Sequence, residues 1–243
     1  MVSPLQDTAP VAASPGVERV PSGIPGLDEV IGGGLPKGSL TMLSGKCGTG
    51  KTTFGMQFVY FGAKEKGEQG IFVTLEKEPE ELVEGAAAFP DFGKMVAEKK
   101  ISIIRPDMHR FDSFKKSLED EVSRTGAKRL VVDSFSLISA YFHEDPYDVR
   151  RSIFELSRLV KRMGCTAIIA EDIQEGSPYL SYNGYKEFVV SGVIVLDMVK
   201  KDPSTFARTL FVRKMHSTEH SLKLIPMEMN SEGIVVYPGA EVF

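Results

Sequence analysis

The chain is 243 residues long, 42% hydrophobic and 26% charged, with a formal net charge of −4. That length suits one large α/β domain and is too short for two comfortable ones. The mild acidity favours solubility and excludes a whole-protein electrostatic pull toward nucleic acid or an anionic membrane, leaving such work only to a local basic loop.

Residues 1–16 open Met1-Val2-Ser3-Pro4 and are rich in Ala, Ser and Pro, which predicts a disordered tail ahead of one ordered domain over 17–243. Residues 20–38 are dense in glycine and proline, so that stretch is expected to be irregular apart from a helical turn around Leu27–Ile31. Leu40–Ser44 predicts a short apolar strand, Gly45–Gly50 a glycine-rich turn, and Lys51–Lys66 a helix with Phe54, Phe58, Phe61 and Gly62 along one face. Ile71–Leu75 predicts a strand, and Pro79 suits the first turn of a helix running to about Ala88. Ile101–Ile104 is strand-like. Asp112 is expected to cap a helix that Arg124 and Gly126 close. Leu130–Asp133 predicts a strand, Pro146 opens a long helix to Met163, and Thr166–Ala170 adds another strand. Continuous Val/Ile/Leu strands alternating with helices imply a mostly parallel sheet covered on both faces. After Gly192 the segments Val193–Met198, Thr209–Met215, Leu222–Pro226 and Ile234–Tyr237 are strand-like and joined by turns, so antiparallel hairpins are expected to extend the same sheet.

Gly45-Lys46-Cys47-Gly48-Thr49-Gly50-Lys51-Thr52 matches G-x-x-x-x-G-K-[ST] at every fixed position, between a predicted strand and a predicted helix. Backbone N–H groups of such a loop converge on phosphate oxygens, and the helix that follows adds its positive end. Lys51 would meet the β- and γ-phosphates of ATP, Thr52 would offer a hydroxyl to Mg²⁺, and Thr53 completes the binding stretch. A strand-ending acid should complete the metal site, and Asp133 fits. Its apolar-run-plus-acid pattern is weak alone and rests on the loop. Hydrolysis needs a group that orients water, and Glu76 stands after Ile71–Leu75 at the expected sheet edge. From spacing alone Glu76 is as readily a surface carboxylate of the run Glu76, Glu78, Glu80, Glu81.

The fragments Ser22-Gly23-Ile24-Pro25-Gly26-Leu27-Asp28 and Gly32-Gly33-Gly34-Leu35-Pro36-Lys37-Gly38 ahead of the loop resemble the entry of KaiC-like domains of the RecA superfamily. Glu187-Phe188-Val189 with Ser191-Gly192-Val193, and Lys214-Met215-His216-Ser217-Thr218-Glu219-His220, are similar to later stretches of that family. The resemblance spans about residues 17–237. It implies a RecA-type core, ATPase activity with ATP and Mg²⁺, and a homo-oligomeric ring, often a hexamer, with nucleotide between neighbours. Residue by residue it makes Glu76 the first of a catalytic glutamate pair, Asp133 the Walker B acid, and Lys214 a lysine reaching the neighbour's γ-phosphate in trans. Two departures stand out: the second glutamate is Lys77, and an arginine and glycine are replaced by His216 and Ser217. A neutral histidine cannot present an arginine's fixed positive fork, so slow hydrolysis is expected. Clock function and autokinase activity do not carry over, because the clock protein has two such domains in tandem.

Other signals stay minor. His216 and His220 have a metal-pair spacing that helps only on a helix, and this segment is strand end and loop. Cys47 and Cys165 are isolated, with no C-x-x-C, and are expected to be reduced thiols of a cytoplasmic protein; oxidation of Cys47 would crowd the phosphates, although a tolerated loop side chain is the simpler account. Tyr179, Tyr182 and Tyr185 lie in a loop spanning Glu171–Glu187, where related recombinases contact DNA. Glu171, Asp172, Glu175 and Glu187 against Lys186 argue that it repels phosphates. The leading expectation is a nucleotide-switched regulatory ATPase with an unknown protein partner. The alternatives are a recombinase-like accessory protein on single-stranded DNA and an ATP-binding scaffold without meaningful turnover.

Overall fold

The computed structural model describes residues 16–107, 110–142, 145–181 and 184–242. The expected tail, residues 1–15 of it, and Tyr182 lie outside the described residues.

In chain order the elements are β1 (Arg19–Val20), α1 (Leu27–Val30), β2 (Leu35–Pro36), β3 (Leu40–Gly45), α2 (Lys51–Glu65), β4 (Gly70–Thr74), α3 (Pro79–Gly85), α4 (Phe92–Ala97), β5 (Ile101–Ile104), α5 (Phe111–Thr125), β6 (Arg129–Asp133), α6 (Ser136–Phe142), α7 (Pro146–Met163), β7 (Thr166–Asp172), β8 (Gly192–Lys200), β9 (Phe206–Met215), β10 (Ile225–Asn230) and β11 (Gly233–Val236). Among the described residues β1 and β2 pair with each other, and the remaining strands form one sheet in the order β11-β10-β9-β8-β3-β7-β6-β4-β5. From β5 to β8 every neighbour is parallel. The β8–β9, β9–β10 and β10–β11 pairs are antiparallel. The fold is therefore the expected α/β architecture, a mostly parallel central sheet flanked by helices with antiparallel strands at the C-terminal edge.

Strand residues alternate between the two faces, which builds two cores. Leu43, Phe72, Val131 and Ile168 meet Phe54, Phe58 and Val59 of α2 on one side. Met42, Val73, Val132 and Ile169 meet Phe114 and Leu118 of α5 and Ile153 and Leu156 of α7 on the other. Arg129, at the start of β6, is wholly buried beneath α2. Its guanidinium pairs with Glu68 at 2.7 Å, donates to the carbonyls of Pro21 and Phe58, and lies 4.6 Å from the Phe58 ring centroid. Gln57 of α2 holds the far edge, donating to Gly23 O and Ile234 O and accepting from Ile234 N.

Several expected elements shift. The helix from Pro79 ends at Gly85, and a separate short helix, α4, follows. Arg110, not Asp112, occupies the cap position of α5; Asp112 sits in the first turn, where its charge favours the helix dipole. β10 begins at Ile225, three residues beyond the expected Leu222 start, because Ile225 is the first residue of that run to pair with β9, opposite Leu210. The glycine-rich entry is less irregular than expected, since Arg19–Val20 pairs with Leu35–Pro36. Among the described residues no helix is long and apolar enough to cross a membrane.

Candidate functional site

The parallel strands deliver their C-terminal ends to one edge, and β7 lies between β3 and β6. Asp172, the last residue of β7, is in register with Gly45, and Asp133, the last of β6, with Thr74. Two strand-end carboxylates and the glycine-rich loop thereby share one edge.

The loop leaves β3 at Gly45 and turns through Gly48 and Gly50 into α2. Gly50 has φ +106, a left-handed value that side-chain-bearing residues rarely adopt, and a Cβ there would stand 2.8 Å from Met229 Sδ of β10. Thr49 is buried and its hydroxyl donates to Lys46 O at 2.9 Å. Lys46 pairs with Glu175 at 3.3 Å, and Cys47 is exposed. Lys51 folds back over the loop: its Nζ donates to Gly45 O at 2.7 Å and Lys46 O at 2.9 Å and lies 3.0 Å from Asp172 Oδ1. Thr52 Oγ1 donates to Asp133 Oδ2 at 2.6 Å. Thr53, next on α2, is half-buried.

Ser134, one residue past β6 and joined to Asp133 by a cis peptide bond, lies between two acids. Its Oγ is 3.0 Å from Glu76 Oε1 and 2.7 Å from Asp172 Oδ2. Glu76 is exposed, two residues beyond the end of β4 rather than on it. Lys77 is exposed too, its backbone closed into a turn by the Thr74 hydroxyl, which accepts from Lys77 N and donates to Lys77 O.

Electrostatics separate the two strand-end aspartates. Burial raises the pKa of Asp133, Glu76 and Asp172 push the same way, and the Thr52 hydrogen bond opposes them. Burial also acts first on Asp172, but the Ser134 bond, Lys51 and the Ser136 hydroxyl outweigh it and hold that carboxyl below its ordinary value. Ser136 Oγ accepts from Asp172 N at 2.7 Å, fixing the strand end itself.

The chemistry of this set fits a nucleotide with a hard divalent cation. The first N–H groups of α2 have no intrahelical partners and face the loop, a primary amine lies across it, and a hydroxyl beside a carboxylate offers the oxygen ligands that Mg²⁺ prefers.

Lys214 lies elsewhere. It pairs in register with Val193 of β8, which is level with Met42, three residues back along β3 from Gly45 and so roughly 10 Å down the sheet from its own loop. Its Nζ donates to Val190 O at 2.7 Å and Glu187 O at 3.2 Å, and burial lowers its pKa. Burial, with Lys214 beside it, also holds His216 below its ordinary value, so that imidazole is neutral at pH 7.

Sequence reasoning missed Asp172 and Ser134 as site residues and misplaced an acidic loop. Glu171 and Asp172 belong to β7, Glu171 is fully buried in an ion pair with Lys186, and neither adds free charge to the loop. Of the four acids and one lysine expected on that loop, Glu171 and Lys186 are spent on each other and Asp172 faces Lys51, which leaves Glu175 and Glu187 on the loop. Three residues of acid-bearing sequence at the end of an apolar strand, Ala170-Glu171-Asp172, carry the same apolar-run-plus-acid pattern that singled out Asp133.

A parallel sheet in this order, with a Walker-type loop after a central strand and an acid at the end of a nearby one, defines a RecA-type P-loop ATPase. The model of the family described as "ATPase: KaiC" matches residues 20–241. A UPF0273 protein of Methanocaldococcus jannaschii is 35% identical over 240 residues, covering 91% of this chain and 97% of that protein. The circadian clock oscillator protein KaiC of Parasynechococcus marenigrum is 35% identical over 234 residues, but this chain spans only 45% of its length. The crystal structure of a KaiC-like protein from Pyrococcus horikoshii OT3 superposes with a TM-score of 0.82 at 42% identity, covering 91% of this chain and 100% of that one. The chain belongs to the KaiC ATPase family.

Proposed function

We propose that this chain is a slow, nucleotide-switched cytoplasmic ATPase, whose domain over 17–243 binds ATP·Mg²⁺ at subunit interfaces of a ring, a hexamer in the simplest form, and passes the nucleotide state to a protein partner. The observation that carries the reading is the convergence of Lys51, Thr52, Asp133, Ser134, Glu76 and Asp172 at one sheet edge.

In this reading the amides of Gly45–Thr52 grip the phosphates, with the side chains of Lys46, Cys47 and Thr49 set around them and Thr53 extending the contact along α2. Lys51 exchanges its carbonyl and Asp172 partners for phosphate oxygens. Thr52 and Asp133 are the residues that would hold Mg²⁺, which would supply charge neutralisation to the phosphates when bound. Glu76 orients and deprotonates the attacking water. Ser134 has one hydroxyl proton, so it donates to one carboxylate at a time; the shorter contact favours Asp172 and leaves Glu76 free to accept from water. Lys214 is held on the carbonyls of Glu187 and Val190 rather than at its own loop, which is compatible with a role toward a neighbour's γ-phosphate. Lys77 and neutral His216 replace charges that would speed turnover, which supports the slow rate.

Light-scattering sizing with steady-state ATPase measurements, comparing apo, ATP·Mg²⁺ and ADP for wild type and Glu76→Gln, tests this. Assembly on ATP with slow hydrolysis, reduced on the order of 10²-fold in Glu76→Gln, is the expected result. A monomer indifferent to nucleotide would remove the interface model. The alternative on single-stranded DNA keeps one observation in its favour: Tyr179 is 56% exposed in the segment between β7 and β8. Salt-sensitive binding of an oligonucleotide with stimulated ATPase would move the reading there.

A further inference from the structure

The segment joining β7 to β8 is fastened to the sheet by a pair that the phosphate site itself does not use. Lys186 Nζ pairs with Glu171 Oε1, and both side chains have 0% exposure. Glu171 and Asp172 are consecutive on β7, so their side chains leave opposite faces of the strand. Asp172 turns to Lys51 and Ser134, and Glu171 turns to Lys186. Lys186 Nζ also lies 5.3 Å from the ring centroid of Phe135, whose backbone N–H donates to Ala170 O, one residue before Glu171. The pair therefore sits under the peptide run Asp133-Ser134-Phe135 on one side and Ala170-Glu171-Asp172 on the other.

Other described residues of the segment are tied to the same neighbourhood. Lys186 O accepts from Val189 N and Val190 N, closing the turn at Lys186–Phe188. Lys214 Nζ donates to the carbonyls of Glu187, Phe188 and Val190. Ser181 donates to Glu187 at 2.6 Å. Ser44, the residue before Gly45, donates to Leu180 O. The segment thus touches the strand that enters the loop and the strand that carries Asp172.

As a source of stability this arrangement is poor, because removing two charges from water offsets most of their attraction and apolar side chains of similar volume fill such space equally well. Burial works to lower the Lys186 pKa and Glu171 opposes it. What a buried pair supplies is a single geometry.

We propose that the Lys186–Glu171 pair is a positioning latch for ATP hydrolysis: it clamps the turn at Lys186–Phe188 onto the end of β7, so that the placement of that turn and the aim of Asp172 at Ser134 rise and fall together. The proposal rests on the ATPase reading of the site. Both latch side chains are fully buried, so neither is placed to touch nucleotide. Release of the turn lets the end of β7 move, and displacement of a catalytic constellation by about 1 Å can cost 10²-fold in rate.

The test is the double variant Lys186→Met/Glu171→Met, which removes both charges and leaves neither stranded. Its expected behaviour is a melting temperature at or above wild type, a KM for ATP within about threefold, and a kcat lower by about tenfold or more. Chymotrypsin cleavage after the exposed Tyr179 should be faster than in wild type and insensitive to ATP·Mg²⁺. Recovery of wild-type kcat along with wild-type stability would make the pair a packing device only and overturn the latch. Should the double variant not fold, Glu171→Gln keeps a hydrogen bond to Lys186 without the ion pair; a reduced kcat supports the latch and an unchanged one overturns it. A wild-type chain that neither binds nor hydrolyses ATP removes the reading of the site and the latch with it, whereas an active wild type with a fully active double variant removes the latch alone.

Discussion

The hydroxyl of Thr52 donates to Asp133 Oδ2 across 2.6 Å, joining the first turn of α2 to the end of β6. The bond joins the glycine-rich loop's helix to a strand two places away in the sheet, and it does so in a site where burial already disfavours the aspartate's charge. Asp133 lies beside two other carboxylates that disfavour its charge, and a divalent cation there would favour the charged form.

Replacing Asp133 with Asn should separate stability from function. A carboxyl whose folded pKa is raised favours folding below its ordinary value near 4. That advantage is lost as pH rises through the folded value, and above it the carboxylate carries the cost of its buried charge. Asp133→Asn removes it. The nucleotide-free variant should melt about 2–4 °C higher at pH 7.5, equivalent to roughly 1 kcal/mol for a domain of this size. The difference should vanish below pH 4. Mg²⁺-dependent hydrolysis should fall on the order of 10²-fold. A lower melting temperature at pH 7.5 would mean the Thr52 bond outweighs the burial of charge.

Lys51→Met is expected to act on binding. In the absence of nucleotide the amine is satisfied by Gly45 O, Lys46 O and Asp172, so its loss leaves Asp172 with the Ser134 bond but no counter-charge. ATP affinity by calorimetry should weaken on the order of 10²-fold, as expected for removing a charge-assisted partner of the phosphates. The fold should survive, because Asp172 is partly open to water. Unchanged affinity would place the phosphates elsewhere.

Gly62→Ala tests the scaffold without touching the site. A Cβ at Gly62 would lie 2.3 Å from Arg129 Cδ, and Arg129 cannot yield because its guanidinium is fixed by Glu68 and two carbonyls in a fully buried pocket. Overpacking of this kind costs about 1–3 kcal/mol, and the melting temperature should drop while the KM for ATP stays put. A variant as stable as wild type would mean that α2 and β6 can slide apart.

How much of this was readable in the sequence follows from the range of each interaction. The loop Gly45–Thr52 was visible because its chemistry is local: glycines at fixed spacing, a lysine and a threonine, all within one turn. Asp133 was visible because a fully buried parallel strand is a continuous apolar run, and an acid ends it. Asp172 was hidden by the same rule applied too narrowly. Ala167–Ala170 is just as apolar, but Glu171 before Asp172 made the pair look like the start of an acidic loop. Only strand order, with β7 between β3 and β6, shows which acid meets the loop and which is buried. Lys186 was equally opaque, since nothing in Tyr185-Lys186-Glu187 marks a lysine bound for a core position fifteen residues from its partner. The short helices α4 and α6 span fewer than two turns each and carry too few residues for a 3.6-residue period to emerge.

The two cysteines give a direct probe of the loop. Cys47 is exposed within the stretch proposed to grip phosphate. Cys165 is buried, its thiol donates to Ala127 O at 3.1 Å, and burial pushes its pKa up to about 11. The thiolate is the reactive form, so a maleimide should label one thiol per folded chain, at Cys47, and reach Cys165 only on unfolding. Nucleotide at this loop should shield Cys47. With ATP·Mg²⁺ at 100 times its dissociation constant, only about one site in a hundred is free, so labelling should slow by up to about a hundredfold. Mass spectrometry of tryptic peptides separates the two sites. Slow labelling of Cys47 by ATP·Mg²⁺ in wild type, but not in Lys51→Met at the same concentration, would tie the shielding to binding at the loop. Labelling that ignores nucleotide in both proteins would show that phosphates do not come near Cys47, and the P-loop reading of residues 45–52 would fail.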